Sequence, residues 1–189
     1  MGNNIIGFQT SATSAGGGAW TDLASASATD TVTVSTDTFT AKKWLNISVA
    51  ATGFDTGTRS DPNFQLNFQS DTAGDSNTRY STTEFSTNDD FAERTAQARF
   101  LIGVNYQTLP SDGEFYSSIQ VMNSDVNTQL AFYQSNVFDG TATSAAPYGM
   151  IGWGAYVNEQ ITKVTFSTSG DGTSFGHFDL LQVTVLGHD

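Results

Sequence analysis

The residues of this 189-residue chain that could carry out acid–base chemistry are two histidines, four glutamates and fifteen aspartates, and there is no cysteine. The lack of cysteine excludes disulfides, thiol catalysis and thiolate metal sites. His177 stands in a Gly/Ser-rich connector and His188 is the next-to-last residue, so we expect turn and terminal roles rather than an oriented general base. The sequence contains no nucleophile elbow, no His-Glu-x-x-His motif and no phosphate-binding glycine loop. We therefore predict no catalytic residues and no enzyme activity.

Paired carboxylates are the one catalytic arrangement that the composition leaves open. Two carboxylates on an open β face are sufficient for glycoside hydrolysis, and the four glutamates are Glu84, Glu93, Glu114 and Glu159. Their spacing does not single out a pair, and most aspartates stand in turn segments, where Asp accepts hydrogen bonds from nearby backbone amides. A hydrolase is therefore the third alternative for function.

The best candidate for a metal site is the segment SDTAGDSN, residues 70–77, which contains Asp71, Asp75 and Asn77. Such oxygen ligands bunched on a loop could hold calcium, but their spacing does not match the EF-hand loop. Because Asp and Asn are also common in ordinary turns, a polar turn is favoured. We predict no cofactor, with calcium at this segment as the alternative.

The charge balance narrows the choice of partner. The net charge is −12 and the isoelectric point is about 4.1, whereas nucleic-acid binding requires lysine and arginine to neutralise phosphates. No run of about 18 apolar residues is present, so no segment is predicted to span a membrane. Neither a nucleic acid nor a membrane is an expected partner.

Hydrophobic alternation with a period of two predicts an all-β domain. The runs are separated by segments rich in Gly, Asp, Ser and Pro, which are typical of turns. We predict about eight to nine strands in a sandwich or barrel that spans residues 19–189, and a short helical turn is an alternative within 87–100. The predicted strands lie at 31–35, 43–52, 63–69, 97–104, 114–122, 129–135, 148–157 and in two runs within 160–189.

The last thirty residues contain the clearest of these patterns. Alternating apolar residues end the chain in two runs joined by the connector TSGDGTSFG, residues 168–176. This pattern predicts two adjacent antiparallel strands, the second of which packs into the sheet. The alternating residues are Thr162, Val164 and Phe166 in the first run and Leu181, Val183 and Val185 in the second.

Residues 1–18 form a predicted flexible N-terminal arm. The arm has an apolar patch, Ile5, Ile6 and Phe8, and ends in three consecutive glycines at 16–18, a composition typical of a hinge. We expect the patch to contact a neighbouring subunit, and a frayed terminus is the alternative. The polar stretch 70–95 is a second candidate contact segment.

Two features of the aromatic and glycine residues concern packing. Most of the aromatic residues lie on the apolar phase of predicted strands, which favours a role in the core. The segment GMIGWGAY, residues 149–156, alternates glycine with large residues. Glycine in a strand marks a close approach of other atoms, which here would be either a subunit contact or crowding between sheets.

Three segments of the chain carry a resemblance to a known family. They are AKKWLNISVAATG (41–53), FQLNFQSDTAGDSNTRYS (64–81) and EQITKVTFSTSGDGTSFGHFDLLQVTVLGHD (159–189). The first resembles the family's early strand with its glycine turn, the second a strand followed by an Asp/Gly turn, and the third the closing strands. The family is that of small all-β virion structural proteins of tailed bacterial and archaeal viruses, and the similarity extends over most of the chain from about Trp20.

The resemblance implies a jelly-roll-like antiparallel β-sandwich located on the capsid surface of the virion. It implies a non-enzymatic cement or turret subunit, with the major capsid protein as partner and a homo-oligomer, expected to be a trimer, on capsomers. The alternative is a tail-fibre, receptor-binding or carbohydrate-binding β-sandwich module.

Overall fold

The structure is a computed structural model that describes residues 19–54, 63–68, 80–86, 91–97, 99–104, 113–125, 128–138, 148–156, 159–169 and 178–189. All regular elements within these ranges are β-strands. They are β1 Thr21–Ala28, β2 Thr33–Ser35, β3 Trp44–Phe54, β4 Asn63–Phe68, β5 Tyr80–Ser86, β6 Phe91–Gln97, β7 Phe100–Val104, β8 Glu114–Met122, β9 Gln129–Phe138, β10 Tyr148–Tyr156, β11 Val164–Ser169 and β12 Phe178–His188. The described ranges hold no helix with the length and apolar character needed to cross a membrane.

The strands form two antiparallel sheets. The large sheet has the order β1-β12-β3-β8-β9-β10-β5-β6, and the small sheet has the order β2-β11-β4-β7. Eight of the strands pair in a nested way along the chain: β1 with β12, β2 with β11, β3 with β8 and β4 with β7. Nested pairing of eight strands in two four-stranded sheets is the jelly-roll arrangement. The predicted all-β, jelly-roll-like antiparallel sandwich is confirmed.

Two hairpins extend the large sheet beyond the jelly roll. Strand β9 pairs with β8, β10 with β9, β5 with β10, and β6 with β5. We call β9 and β10 the inserted hairpin, since they lie between β8 and β11 in the chain. With these additions the described ranges contain 12 strands, above the predicted eight or nine.

The nine predicted strand runs all correspond to strands, whereas β1, β5 and β6 were not predicted. The helical turn considered within 87–100 is wrong over residues 91–97, which form β6. The reason is that β5 offers β6 a partner for its backbone hydrogen bonds, and such pairing outweighs a weak local helix preference. Strand β1 was not predicted because, apart from Leu23, the residues that it packs against the core are the small alanines 24, 26 and 28.

The predicted adjacency of the two closing strands is also wrong. Strand β11 pairs with β2 and β4 in the small sheet, whereas β12 pairs with β1 and β3 in the large sheet. Their connector, residues 170–177, lies outside the described residues. A two-residue turn would force the strands into one hairpin, but a longer connector lets the chain change sheets. The expectation that the last strand packs into a sheet is confirmed.

Aromatic rings fill the space between the sheets. Phe64 of β4 and Phe115 of β8 stack across the sandwich with ring centroids 3.8 Å apart, and Phe166 lies 6.0 Å from Phe115. The contacts continue toward the inserted hairpin, where the rings of Phe68 and Tyr156 are 5.4 Å apart. Because these rings come from both sheets, the hairpin shares the core of the jelly roll.

The inner face of the inserted hairpin is closely packed. A Cβ added to Gly152 of β10 would lie 2.5 Å from Cζ of Tyr133 and 2.6 Å from the carbonyl oxygen of Thr83. Real side chains do not approach so closely, so the site accepts only glycine without movement of its neighbours. Tyr133 belongs to β9 and Thr83 to β5, the two neighbours of β10 in the large sheet, so crowding within this sheet accounts for the glycine at 152.

Candidate functional site

The outward face of the large sheet carries a group of half-exposed apolar side chains. On β8, the inward residues are buried while the outward residues face solvent, as the period of two requires. Solvent also reaches six large apolar residues on four neighbouring strands, which are 38% to 50% exposed. We call these residues the apolar band: Trp44, Met122, Leu130, Phe132, Ile151 and Trp153.

The strand register makes the apolar band continuous. Trp44 of β3 is paired with Met122 of β8, and Met122 is paired with Leu130 of β9. In the next row, Phe132 is paired with Trp153 of β10. Directly opposed residues have Cβ atoms about 4.5–5.5 Å apart, so the side chains form one surface that spans four strands.

This part of the sheet is almost free of charge. Of the described outward positions on β3, β8, β9 and β10, Glu114 alone is charged, and it stands at the far end of β8 from Met122. The polar outward residues beside the band are Asn46, Ser118, Gln120 and Gln134. In a chain of net charge −12, an uncharged apolar surface is a place where another molecule can approach without repulsion between like charges.

Asn123 fixes the end of β8 next to Met122. Its Nδ2 donates to the carbonyl oxygens of Lys42 (2.9 Å) and Ile161 (3.1 Å), and its Oδ1 accepts from the backbone N–H of Ile161 (2.7 Å). The side chain is fully buried. Its amide therefore ties the segment before β3 and the segment before β11 to the end of β8, at the edge of the apolar band.

The band is prolonged by two aromatic residues from the two ends of the described chain, Trp20 and His188. His188 is the register partner of Trp44, and its ring meets the ring of Trp20 edge-on at 5.7 Å between centroids. Next to it, Lys42 Nζ lies 2.5 Å from Asp189 Oδ2. The hydrogen bond from Lys42 holds the pKa of Asp189 below its usual value.

The contact and metal residues predicted from the sequence are different residues from the six of the apolar band. Ile5, Ile6, Phe8, Asp71, Asp75, Asn77 and His177 lie outside the described residues. Within the described ranges, no three His, Asp or Glu side chains are grouped as metal ligands. His188, expected at a terminus without a defined role, is half-buried within β12.

Of the four glutamates, Glu114 has the best-defined surroundings. It accepts a hydrogen bond from the hydroxyl of Tyr116, 3.0 Å away. Burial, together with this hydrogen bond and the negative charge of Glu114, raises the pKa of Tyr116. Glu159 is exposed in the segment before β11, and the side chains of Glu84 and Glu93 lie outside the described side chains.

The apolar band was not predicted from the sequence, because the alternation pattern placed most aromatic residues in the core. That assignment holds for Phe64, Phe115 and Phe166, but Trp44, Phe132 and Trp153 point away from it. A signal was present in the inserted hairpin. In β9, Leu130 and Phe132 occupy one phase while Ala131 and Tyr133 occupy the other, and a strand that is apolar on both phases is typical of one covered on both faces.

Comparison with known proteins adds little to this geometry. No protein-family model matches the sequence, and no curated protein matches it. Among solved structures, the chain is similar to the CBM2 module of an evolved Dit from Lactobacillus casei BL23 phage J-1, with 11% identity over 75% of this chain and 61% of that chain. The TM-score is 0.18, which is too low to establish a common fold.

Proposed function

We propose that this chain is a non-enzymatic structural protein of a tailed virus that decorates the capsid surface as a cement or turret subunit. The observation that carries the proposal is the uncharged apolar band on the large sheet. It supports assembly with another protein, and the resemblance of residues 41–53, 64–81 and 159–189 to virion proteins supports the virion as the place. The partners are the major capsid protein and further copies of the chain, arranged as a symmetric homo-oligomer, expected to be a trimer.

The size of the apolar band fits such a role. Half-exposure of its six side chains corresponds to an apolar area on the order of 500 Å², a size that marks interaction sites on soluble proteins. Burying it at about 25 cal/mol per Å² supplies on the order of 10 kcal/mol before the costs of association. In a symmetric oligomer several such contacts form at once, so the oligomer binds the particle more tightly than a single subunit does.

Binding to particles tests the proposal directly. Particles of the parent virus that lack this protein are mixed with purified protein, and bound copies are counted by quantitative mass spectrometry. We expect hundreds of copies per particle and greater resistance of the particles to heat. Leu130→Ser combined with Phe132→Ser should weaken binding at least about 100-fold, since it removes a third of the band.

The matched control is Gln134→Ser, on the same strand and the same face but outside the apolar band. It should bind like the parent protein, and all variants should keep the parent melting temperature because the altered side chains are half-exposed. Undiminished binding by the double variant, or only a few copies per particle, would contradict capsid decoration through this surface.

A carbohydrate-binding or receptor-binding module is the second candidate. The observation that favours it is the presence of three half-exposed rings, Trp44, Phe132 and Trp153, on one sheet face beside the amides of Gln120 and Gln134. Flat rings stack on apolar ligand faces, and nearby amides can donate and accept hydrogen bonds.

Trp153→Leu separates the two candidates, because it keeps an apolar side chain but removes the ring. A protein contact should tolerate this change to within about tenfold, whereas stacking on a sugar should be lost as fully as in Trp153→Ser. Sugar binding by the parent protein and by both variants is measured on a glycan array. Glycan binding that disappears in Trp153→Leu would favour the second candidate.

A further inference from the structure

The residue Trp20, which follows the predicted N-terminal arm in the chain, lies beside the apolar band. Trp20 is the second described residue, and its ring contacts His188, the register partner of Trp44. The described chain therefore begins at one end of the band. Across the sheet from there, β3, β8, β9 and β10 follow in order.

The length of chain between Trp20 and the apolar patch of the arm matches the size of the band. Eleven residues, 9–19, separate Phe8 from Trp20, and they are Gly, Ala, Ser, Thr and one Gln. A chain of this composition and length has a root-mean-square end-to-end distance of roughly 17–20 Å. The distance from β12 to β9 or β10 is three or four strand spacings, roughly 15–20 Å.

The chemistry of the arm also matches the band. Residues 1–18 contain no charged side chain, and the described band is uncharged. In an extended segment Ile6 and Phe8 point to the same side, because they are two residues apart. A single extended segment is narrow enough to cover the side chains of the apolar band while the amides of Gln120 and Gln134 stay in contact with water. If the sheet of a second copy covered the band instead, the amides of Gln120 and Gln134 would be buried. Burial of an amide costs free energy wherever it lacks a hydrogen-bond partner.

We propose that, in the free subunit, Ile6 and Phe8 of the chain's own arm lie on its apolar band. A tether whose mean length equals the distance to be spanned gives an effective concentration in the millimolar range, so the arm of the same chain outcompetes that of a neighbour at ordinary protein concentrations. This places the arm differently from the sequence-based expectation of a contact with a neighbouring subunit. It rests on the proposed function in one respect: the arm and the capsid would compete for one surface.

The cysteine-free chain permits a direct test by engineered disulfides. Gln9→Cys combined with Gln120→Cys places one thiol next to Phe8 and the other at an exposed position beside the band. The control pair is Gln9→Cys with Ser35→Cys, since Ser35 is exposed on the small sheet. Both proteins are equilibrated in glutathione buffers, and the effective thiol concentration is measured from the fraction of disulfide.

For the first pair, we expect an intrachain disulfide with an effective concentration at least about tenfold above that of the control pair. Adding Ile6→Ser and Phe8→Ser should reduce it to the control value. A mixture of isotopically labelled and unlabelled protein distinguishes disulfides within a chain from those between chains by mass spectrometry. Equal effective concentrations for both pairs, or disulfides that form only between chains, would overturn the proposal.

A second measurement separates this inference from the proposed function. Deleting residues 1–18 should raise binding of the dye 8-anilinonaphthalene-1-sulfonate several-fold and should increase the affinity for particles, because a competitor for the band is removed. If deletion lowers self-association or particle binding instead, the arm acts on a neighbour and the inference fails, while assembly through the band stands. If Leu130→Ser with Phe132→Ser leaves particle binding unchanged, the proposed function fails, but the disulfide result still decides where the arm lies.

Discussion

At the scale of single residues, Asn123 shows how one amide holds three segments of the chain together. Its side chain is fully buried and bonds to Lys42 and Ile161. Replacing it leaves two carbonyl groups and one N–H in a buried place without this partner, and each such loss costs about 1–3 kcal/mol.

Asn123→Ala should therefore lower the free energy of unfolding by about 2–4 kcal/mol, as measured by urea denaturation. Gln120→Ala is the matched control, since Gln120 lies in β8 just before Asn123 but is exposed, and its change should stay within about 0.5 kcal/mol. Equal stabilities of the two variants would show that the Asn123 amide does not hold these segments.

Tyr116 gives the chain a stability that depends on alkaline pH. Its pKa is raised by burial, by the hydrogen bond to Glu114 and by the charge of that carboxylate. A raised pKa means that the folded state favours the neutral phenol. The resulting stability is present below the ordinary tyrosine pKa of about 10 and is lost as the pH rises through the folded-state pKa.

Thermal unfolding of the parent protein and of Tyr116→Phe checks this pH dependence. The parent protein should be the more stable of the two at pH 8, where its phenol is neutral and bonded to Glu114. This advantage should shrink above pH 10, because the variant has no phenol to ionise at that position. A difference between the two that stays constant from pH 8 to pH 11 would contradict the assignment.

At the scale of elements, the inserted hairpin is attached to the jelly roll by contacts on its inner face. The hydroxyl of Ser135 in β9 donates to the carbonyl of Ile102 in β7, so the hairpin is hydrogen-bonded to the small sheet. Its oxygen also lies 2.8 Å from Oγ of Ser117 in β8. Since β9 and β10 supply four of the six residues of the apolar band, this docking determines where the band lies.

Gly152→Ala tests the closeness of this packing. The new methyl group would meet the ring tip of Tyr133 and the carbonyl oxygen of Thr83, and overpacking of this kind costs about 1–3 kcal/mol. Adding Tyr133→Phe removes the hydroxyl and should recover part of the loss, but not all of it, because the Thr83 carbonyl belongs to the backbone. Calorimetric melting of the single and double variants measures both effects, and an unchanged melting temperature for Gly152→Ala would show that β10 does not pack this closely.

At the scale of the whole molecule, the net charge of −12 opposes the compact state, because like charges repel one another on its surface. Raising the sodium chloride concentration from 0.05 to 0.5 M shortens the screening length and should relieve this repulsion. We expect a stability gain of about 1 kcal/mol, or roughly 2–4 °C in melting temperature for a chain of this size. Potassium chloride at equal ionic strength should act equally, and a fall in melting temperature with either salt would contradict this expectation.

The sequence by itself determined the strands with strong alternation and the class of fold. Leu45, Ile47 and Val49 are buried as their spacing predicted, and so are Phe64, Leu66 and Phe68. The inward or outward position of a side chain on a strand is a local property, fixed by the period of two. The closing residues Leu181, Val183 and Val185 were identified as an inward face for the same reason.

The tertiary structure alone decided which strands are neighbours. Strands β11 and β12 are consecutive in the chain yet belong to different sheets, and the apolar band joins residues as distant in sequence as Trp44, Met122 and Trp153. Pairing depends on backbone hydrogen bonds between segments tens of residues apart, and alternation within one segment does not encode its partner. The outward residues of each strand could therefore be predicted from the sequence. That they form one apolar surface could not be predicted, because this depends on which strands pair.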